Sequence, residues 1–167
     1  QGPVTDVIPS TDEFEMYPVG LTSLASYLER NSYNVRIVNL AYRMLSNPRF
    51  DAERYVGKLK SKVFGIDLHW LPHAHGALAV AEMVKRVHPD AKVLMGGLSS
   101  TYYHEELVRY PFVDFVLRGD STEEPCRQLL KALRTGSPLD DVENLTWKRT
   151  DGSVVVNPTS FVPDNLD

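Results

Sequence analysis

Apolar residues recur along the chain in two alternating rhythms. Leu21, Leu24, Ala25 and Leu28 fall at i, i+3, i+4 and i+7, one face of a helix opened by Pro18 and Gly20. Residues 35–40, Val-Arg-Ile-Val-Asn-Leu, are rich in β-branched side chains and predict a strand. Ala52, Tyr55, Val56 and Leu59 return to helical spacing, with Asp51 placed to cap them. Residues 63–68, Val-Phe-Gly-Ile-Asp-Leu, form the short apolar run of a strand buried on both faces. Ala77, Val80, Ala81 and Val84 predict a helix that stops at His88-Pro89. Residues 92–95 predict a strand ending at Gly96-Gly97, 103–109 a short helix and 113–117 the last parallel strand. Cys126, Leu129, Leu130 and Leu133 make the final helical stripe, closed by Gly136.

Strands alternating with helices predict right-handed βαβ units and a doubly wound parallel α/β sheet. Ligands of such sheets bind at the carboxyl ends of the strands, which directs attention to the loops after residues 67, 96 and 117. Residues 145–149 and 154–156 around Asp151-Gly152 predict a β-hairpin. Residues 161–167, with Pro163, read as a linker. The chain thus divides into an α/β unit, residues 1–140, and a hairpin with linker, residues 141–167. A helix opening at Pro18 calls for a strand before it. The short run from Val4 to Ile8, between Pro3 and Pro9, is one candidate; a strand upstream of Gln1 is the other. If neither fills the gap, the sheet opens between the strands at 35–40 and 63–68, and lower stability or strand exchange between copies follows.

Composition narrows the chemistry. The chain has 167 residues with 43% hydrophobic and 24% charged positions, enough to bury a core without metal or disulfide staples. A net charge of −4, with signs interspersed, gives no general reason to expect a nucleic acid or an anionic membrane as partner. The single Cys126 excludes an internal disulfide and any all-cysteine zinc or iron–sulfur site within one chain, and fits a reducing, cytoplasmic setting. No apolar run reaches the roughly 20 residues of a membrane-spanning helix.

Three loops carry candidate chemistry. Asp67-Leu68-His69-Trp70-Leu71-Pro72-His73-Ala74-His75 places three imidazoles, an indole and an acid after a central strand. This suits a small-molecule loop, a metal held by His69, His73 and His75, or plain capping with Trp70 packed on the sheet. In Gly96-Gly97-Leu98-Ser99-Ser100-Thr101, glycines admit close backbone approach and hydroxyls offer short donors and acceptors. In Arg118-Gly119-Asp120-Ser121-Thr122-Glu123-Glu124, Ser121 or Thr122 can cap a helix whose first turn is acidic. That acidity repels a phosphate. Neither GxGxxG nor GxxxxGK[ST] is present, and Cys126 lies on an apolar stripe rather than in a nucleophile elbow.

Pro18-Val19-Gly20-Leu21-Thr22-Ser23-Leu24-Ala25-Ser26-Tyr27-Leu28 followed by residues 35–40 resembles the start of the cobalamin (B12)-binding domains that precede radical SAM enzymes. Gly96-Gly97-Leu98-Ser99 is similar to their strand-end Gly-Gly. Residues 113–117 with Arg118-Gly119-Asp120-Ser121-Thr122-Glu123-Glu124 resemble their last strand and its turn. The resemblance implies a flavodoxin-like, Rossmann-like sheet of order 2-1-3-4-5, with cobalamin over the strand carboxyl ends and its nucleotide tail beside the Gly-Gly strand. Asp67, Leu68, His69, Trp70, His73, Gly96, Gly97, Leu98, Ser99, Gly119, Asp120 and Ser121 are then the expected cofactor contacts. The cobalt-ligating Asp-x-His-x-x-Gly motif is absent, since Pro72 stands where its glycine belongs, so the cofactor is expected base-off without that histidine, with His69, His73 or His75 as a substitute axial ligand the alternative. The CxxxCxxC motif is absent too. The [4Fe-4S] cluster and S-adenosylmethionine are therefore expected in a radical SAM domain following Asp167 in a parent protein, and the fragment itself is not expected to be catalytic. Two other readings use the same residues: a receiver-like phosphoacceptor domain with Asp67, and a metal-dependent hydrolase built on His69, His73 and His75.

Overall fold

The computed structural model of the chain describes residues 19–161. The helices are α1 (Val19–Arg30), α2 (Leu40–Ser46), α3 (Ala52–Val56), α4 (Ala74–Val87), α5 (Leu98–Tyr102), α6 (His104–Arg109) and α7 (Glu123–Thr135). The strands are β1 (Val63–Asp67), β2 (Lys92–Gly96), β3 (Phe115–Leu117), β4 (Leu145–Lys148) and β5 (Val154–Val156). They form one sheet in the order β1-β2-β3-β4-β5. The first three are parallel, and the hairpin β4–β5 is added antiparallel to β3. The hairpin turn is held by the Asp151 carboxylate, which accepts from the Ser153 backbone N–H at 2.9 Å, and by Gly152 at φ +85°.

Helices cover both faces, as the βαβ rhythm requires. Alternation along each strand sends Val93, Met95 and Val116 to one face, where Val56, Ala81, Val84 and Val108 from α3, α4 and α6 bury them. Leu94, Phe115 and Leu117 face the other way, against Leu28 of α1 and Cys126, Leu129 and Ala132 of α7. The first-turn acids of α7 also bind α1: Glu123 accepts from the Ser23 hydroxyl and Glu124 from the Tyr27 hydroxyl, both at 2.8 Å. Burial pushes the Cys126 thiol up to about 12, which makes it core rather than nucleophile.

The structure corrects several expectations. Residues 35–40 pair with no strand among the described residues, and residue 40 starts α2, capped by the Asn39 side chain, which accepts from Tyr42 N at 2.8 Å. The β-branched run packs Val35 against the α1–α7 core, but among the described residues no strand lies beside it. β1, β2 and β3 therefore correspond to strands 3, 4 and 5 of the order 2-1-3-4-5, and β1 has a ladder on one side only among the described residues. The candidate first strand from Val4 to Ile8 and the linker around Pro163 lie outside the described residues. The segment after Gly97 is the helix α5 rather than a loop, and Thr122 stands at the cap of α7 without a side-chain capping bond.

Candidate functional site

The site is built where β1, β2 and β3 end. On leaving β1 the chain crosses over the end of β2, and residues 67–69 form a strap there. Leu68 N donates to Gly96 O at 2.7 Å, Ser100 N to Leu68 O at 3.3 Å, and Ser99 donates to His69 O from both its N–H (3.3 Å) and its hydroxyl (2.9 Å). The first amides of α5 are thus occupied by protein carbonyls. Gly97 makes the arrangement possible. Its φ of +99° suits glycine, and a Cβ there would stand 2.5 Å from Asp67 Oδ1, 2.8 Å from the Leu68 carbonyl carbon and 2.9 Å from His69 N. Thr101 extends the tie to β3: its hydroxyl donates to Gly97 O at 3.2 Å and accepts from Gly119 N at 3.0 Å.

Beside the strap lies an open trough. Gly65 pairs with Leu94 and Asp67 with Gly96, so all four share one face of the sheet. Among the described residues, a Cβ at Gly65 or at Gly96 would meet nothing within 4 Å. Leu94 is buried, whereas Gly65 and Asp67 are exposed, so among the described residues the helices cover this face over β2 and β3 and leave the carboxyl end of β1 uncovered. The glycines thus have two different reasons to be glycine: Gly97 admits the protein's own strap, and Gly65 and Gly96 leave space a ligand can enter.

Asp67 stands at the rim of the trough, and among the described residues no group donates a hydrogen bond to its carboxylate. The residue as a whole meets solvent, but its Oδ1 is crowded on one side by Gly97. That partial desolvation holds the carboxyl above the ordinary carboxylate value, against the pull of His69 and His73 toward the charged form. A carboxyl whose pKa is raised on folding binds its proton more tightly in the folded chain. Its contribution therefore falls as pH climbs from the ordinary value of about 4 through the raised one, and the penalty is complete above both. Asp67→Asn is expected to be at least as stable as the parent near pH 7 and to flatten this part of the stability–pH profile. Urea unfolding across that range checks it; an Asp67→Asn variant less stable than the parent at neutral pH contradicts it.

The other predicted residues divide into surface and support. Trp70 is 55% exposed and meets the His69 ring edge-on at 5.1 Å, and Leu98 is 38% exposed. Gly119, at φ +114°, with Asp120 and Ser121, forms the far rim on β3. Leu68 and Ser99 are buried and act from behind, through the strap. His69, His73 and His75 do not converge. His73 ends a 3-10 turn (Leu71–His73) and His75 lies in α4, and among the described residues no group of three or more His, Cys, Asp or Glu is placed to hold a metal ion.

Sequence reasoning misses the support behind Gly119. Arg118 is buried, and its guanidinium donates to Thr159 Oγ1 at 2.9 Å and to Asn157 O. Asn144, buried at φ +59°, accepts from Ser160 N (3.1 Å) and Phe161 N (3.2 Å) through its side chain, while its carbonyl accepts from Arg118 N at 2.9 Å. Residues 157–161 are thereby sewn to the β3 end of the site. Burial pulls the Arg118 pKa down, and no carboxylate pairs with it among the described residues. Arg118→Met loses two charge-assisted bonds but also removes a buried charge, so a net loss of about 1–2 kcal/mol is expected. Faster amide exchange confined to residues 157–161 is the accompanying sign; unchanged protection there contradicts the clasp.

An open α/β sheet with a bare trough at its strand carboxyl ends defines a ligand-binding domain of the doubly wound class. The family model for the B12 binding domain matches residues 6–128, and the chain belongs to that family. It is 26% identical over 155 residues to the anaerobic magnesium-protoporphyrin IX monomethyl ester cyclase of Rubrivivax gelatinosus, covering 90% of this chain and 27% of that protein. It is 28% identical over 151 residues to the uncharacterized methyltransferase PH0819 of Pyrococcus horikoshii, covering 90% and 32%. The fold is similar to that of the radical S-adenosylmethionine methyltransferase TsrM from Kitasatospora setae, solved with cobalamin and a [4Fe-4S] cluster bound, with a TM-score of 0.71 at 20% identity over 89% of this chain and 27% of that one. It is also similar to the cobalamin-dependent S-adenosylmethionine radical enzyme OxsB, with a TM-score of 0.69 at 16% identity over 90% and 21%. The chain spans about a third or less of the length of these relatives. Neither the phosphoacceptor nor the metal-hydrolase reading finds support in them. Among the described residues no helix is long and apolar enough to cross a membrane.

Proposed function

We propose that this chain is the module that holds cobalamin for a radical SAM domain of its parent protein. The observation that carries the reading is the trough: two glycines on one sheet face, Gly65 of β1 and, diagonally across on β2, Gly96, with space above both among the described residues, in a chain of the B12 binding domain family. The trough takes the nucleotide tail, with the Asp67 carboxyl at its rim. Trp70 and Leu98 offer apolar surface to the corrin, and Gly119, Asp120 and Ser121 bound it on the β3 side. The strap and α5 keep these groups in place, with Leu68, Gly97, Ser99 and Thr101 as positioning residues. Cobalamin, when bound, would supply cobalt-centred chemistry; the chain would supply its placement, through the trough, the strap and the rim.

Pro72 stands where the glycine of the cobalt-ligating Asp-x-His-x-x-Gly motif belongs, which supports base-off cobalamin without that motif's histidine on cobalt. Residues 141–167 form the connection toward the radical SAM domain, and the Arg118–Asn144 clasp fixes where that connection starts. The outer edge of β1 accepts a further strand, from the chain's own first residues or by exchange with a second copy. The visible spectrum of hydroxocobalamin mixed with the full chain tests the reading. A base-off spectrum at one cofactor per chain is expected. A base-on spectrum overturns the tail assignment, and no spectral change with no retention on gel filtration overturns the module.

A further inference from the structure

Residues 30–62 hold eight of the chain's 18 Lys and Arg but only two of its 22 Asp and Glu, so a chain of net charge −4 carries one strongly basic stretch. Both acids are occupied: Glu53 receives two bonds from the Arg86 guanidinium (2.8 and 3.0 Å), and Asp51 caps α3 through Arg54 N at 2.8 Å. Arg36, Arg43, Arg49, Lys58, Lys60 and Lys62 are exposed, and none has a carboxylate partner among the described residues. The stretch is drawn together at Tyr55. Arg36 donates to its hydroxyl at 3.1 Å, Arg43 lies over its ring at 4.7 Å, and Phe50 packs against it at 5.4 Å. The same stretch of chain carries apolar side chains with little cover. α2 buries no residue, and Tyr42 (58% exposed), Leu45 (56%) and Ile37 (42%) stand out from it and from the segment that leads into it.

Cations without acids, interleaved with exposed apolar side chains, narrow the choice of occupant. A nucleic acid satisfies the cations and stacks on Tyr42, but has no use for Ile37 and Leu45. Protein interfaces are depleted in lysine, whereas the basic stretch continues through the exposed Lys58 and Lys60. An anionic bilayer satisfies both sets at once: its headgroups take the arginines and lysines, and its boundary region takes the tyrosine and the aliphatic side chains. Long basic side chains also lay their own alkyl stems along such a boundary. We propose that the surface formed by residues 36–62 around α2 and Tyr55 docks the protein peripherally on an anionic lipid membrane. The proposal is independent of what fills the trough.

Co-sedimentation of the full chain with vesicles tests it, one set of phosphatidylcholine alone and one of phosphatidylcholine mixed with phosphatidylglycerol. Binding to the anionic vesicles is expected to exceed binding to the neutral ones at least roughly tenfold and to weaken as salt rises. The triple variant Arg43→Glu, Lys58→Glu, Lys60→Glu should abolish it. The double variant Tyr42→Ser, Leu45→Ser, which keeps every charge, should weaken it several-fold while the far-UV circular dichroism of both variants stays that of the parent. Equal or absent binding to the two vesicle types overturns the proposal, and so does a charge-reversed variant that still sediments. If oligouridylate RNA binds more tightly than the vesicles and the serine variant loses nothing on lipid, the surface is a nucleic-acid site instead and the proposal fails.

Discussion

Gly97→Ala should lower the stability of the folded chain by about 3 kcal/mol, a large share of the ~5–15 kcal/mol that holds a typical domain together. Two effects add. With φ at +99° and ψ at 171°, Gly97 occupies a region that only glycine enters freely, at a cost of about 1–3 kcal/mol for any other residue. The new methyl would also stand 2.5–2.9 Å from Asp67 Oδ1, Leu68 C and His69 N, two of them backbone atoms that no rotamer change can move aside. Overpacking of this kind costs roughly 1–3 kcal/mol more. The strap must lift, which breaks the bonds from Ser99 and Ser100 to His69 O and Leu68 O and carries Asp67 away from the trough. Thermal unfolding should show a fall on the order of 10 °C for a chain of this size. Gly96→Ala, one residue earlier and facing open space, should leave the midpoint where it was. Equal midpoints for Gly97→Ala and the parent would mean that the strap does not need the glycine.

Gly65→Leu should do the reverse, removing cofactor binding while leaving stability intact. Gly65 is an exposed strand residue with no neighbour within 4 Å of its missing Cβ among the described residues, and leucine is a better strand former than glycine. The isobutyl group would project from the floor of the trough, on the face shared with Leu94, Asp67 and Gly96. A tail that must lie on that floor is then excluded, and affinity for cobalamin should fall by about a hundredfold or more, on the order of 3 kcal/mol. Equilibrium dialysis against hydroxocobalamin, with urea unfolding on the same samples, separates the two quantities. Retained affinity places the cofactor elsewhere, and a parallel loss of stability would mean that Gly65 serves the sheet rather than the ligand.

These two variants mark where sequence reasoning reaches and where it stops. The alternation of β1, α4, β2, α6, β3 and α7 is legible because each element carries its own apolar periodicity, and the hairpin because Asp151-Gly152 is a local turn signal. Residues 35–40 have the composition of a strand, but a ladder needs a neighbour, and composition says nothing about one. α5 is hidden by its own residues: glycines and hydroxyls read as a loop, and the helix forms because the strap's carbonyls receive the Ser99 and Ser100 amides from about thirty residues away. Gly65 does carry a signal, since an isolated glycine inside an apolar strand marks close backbone approach. The stronger Gly96-Gly97 signal masks it, and of that pair only one member faces open space. Arg118 cannot be read at all, because its partners lie near residues 157 and 159. The histidines of the β1 loop mislead in the opposite sense, since their spacing resembles a ligand set but the chain turns into α4 between them.

The support of the site and its opening are thus separate. Strap, α5 and clasp are tied to one another by hydrogen bonds of buried and partly buried groups, whereas the trough owes its shape to two side chains that are missing. This separation predicts that the tail, and not only the corrin, is recognised. Cobinamide, which keeps the corrin and lacks the nucleotide tail, measures this most directly in a paired calorimetric titration with cobalamin on the full chain. Cobalamin is expected to bind at one per chain, and cobinamide at least roughly tenfold more weakly because the trough stays empty. Equal affinities, or no heat with either ligand, would contradict the account.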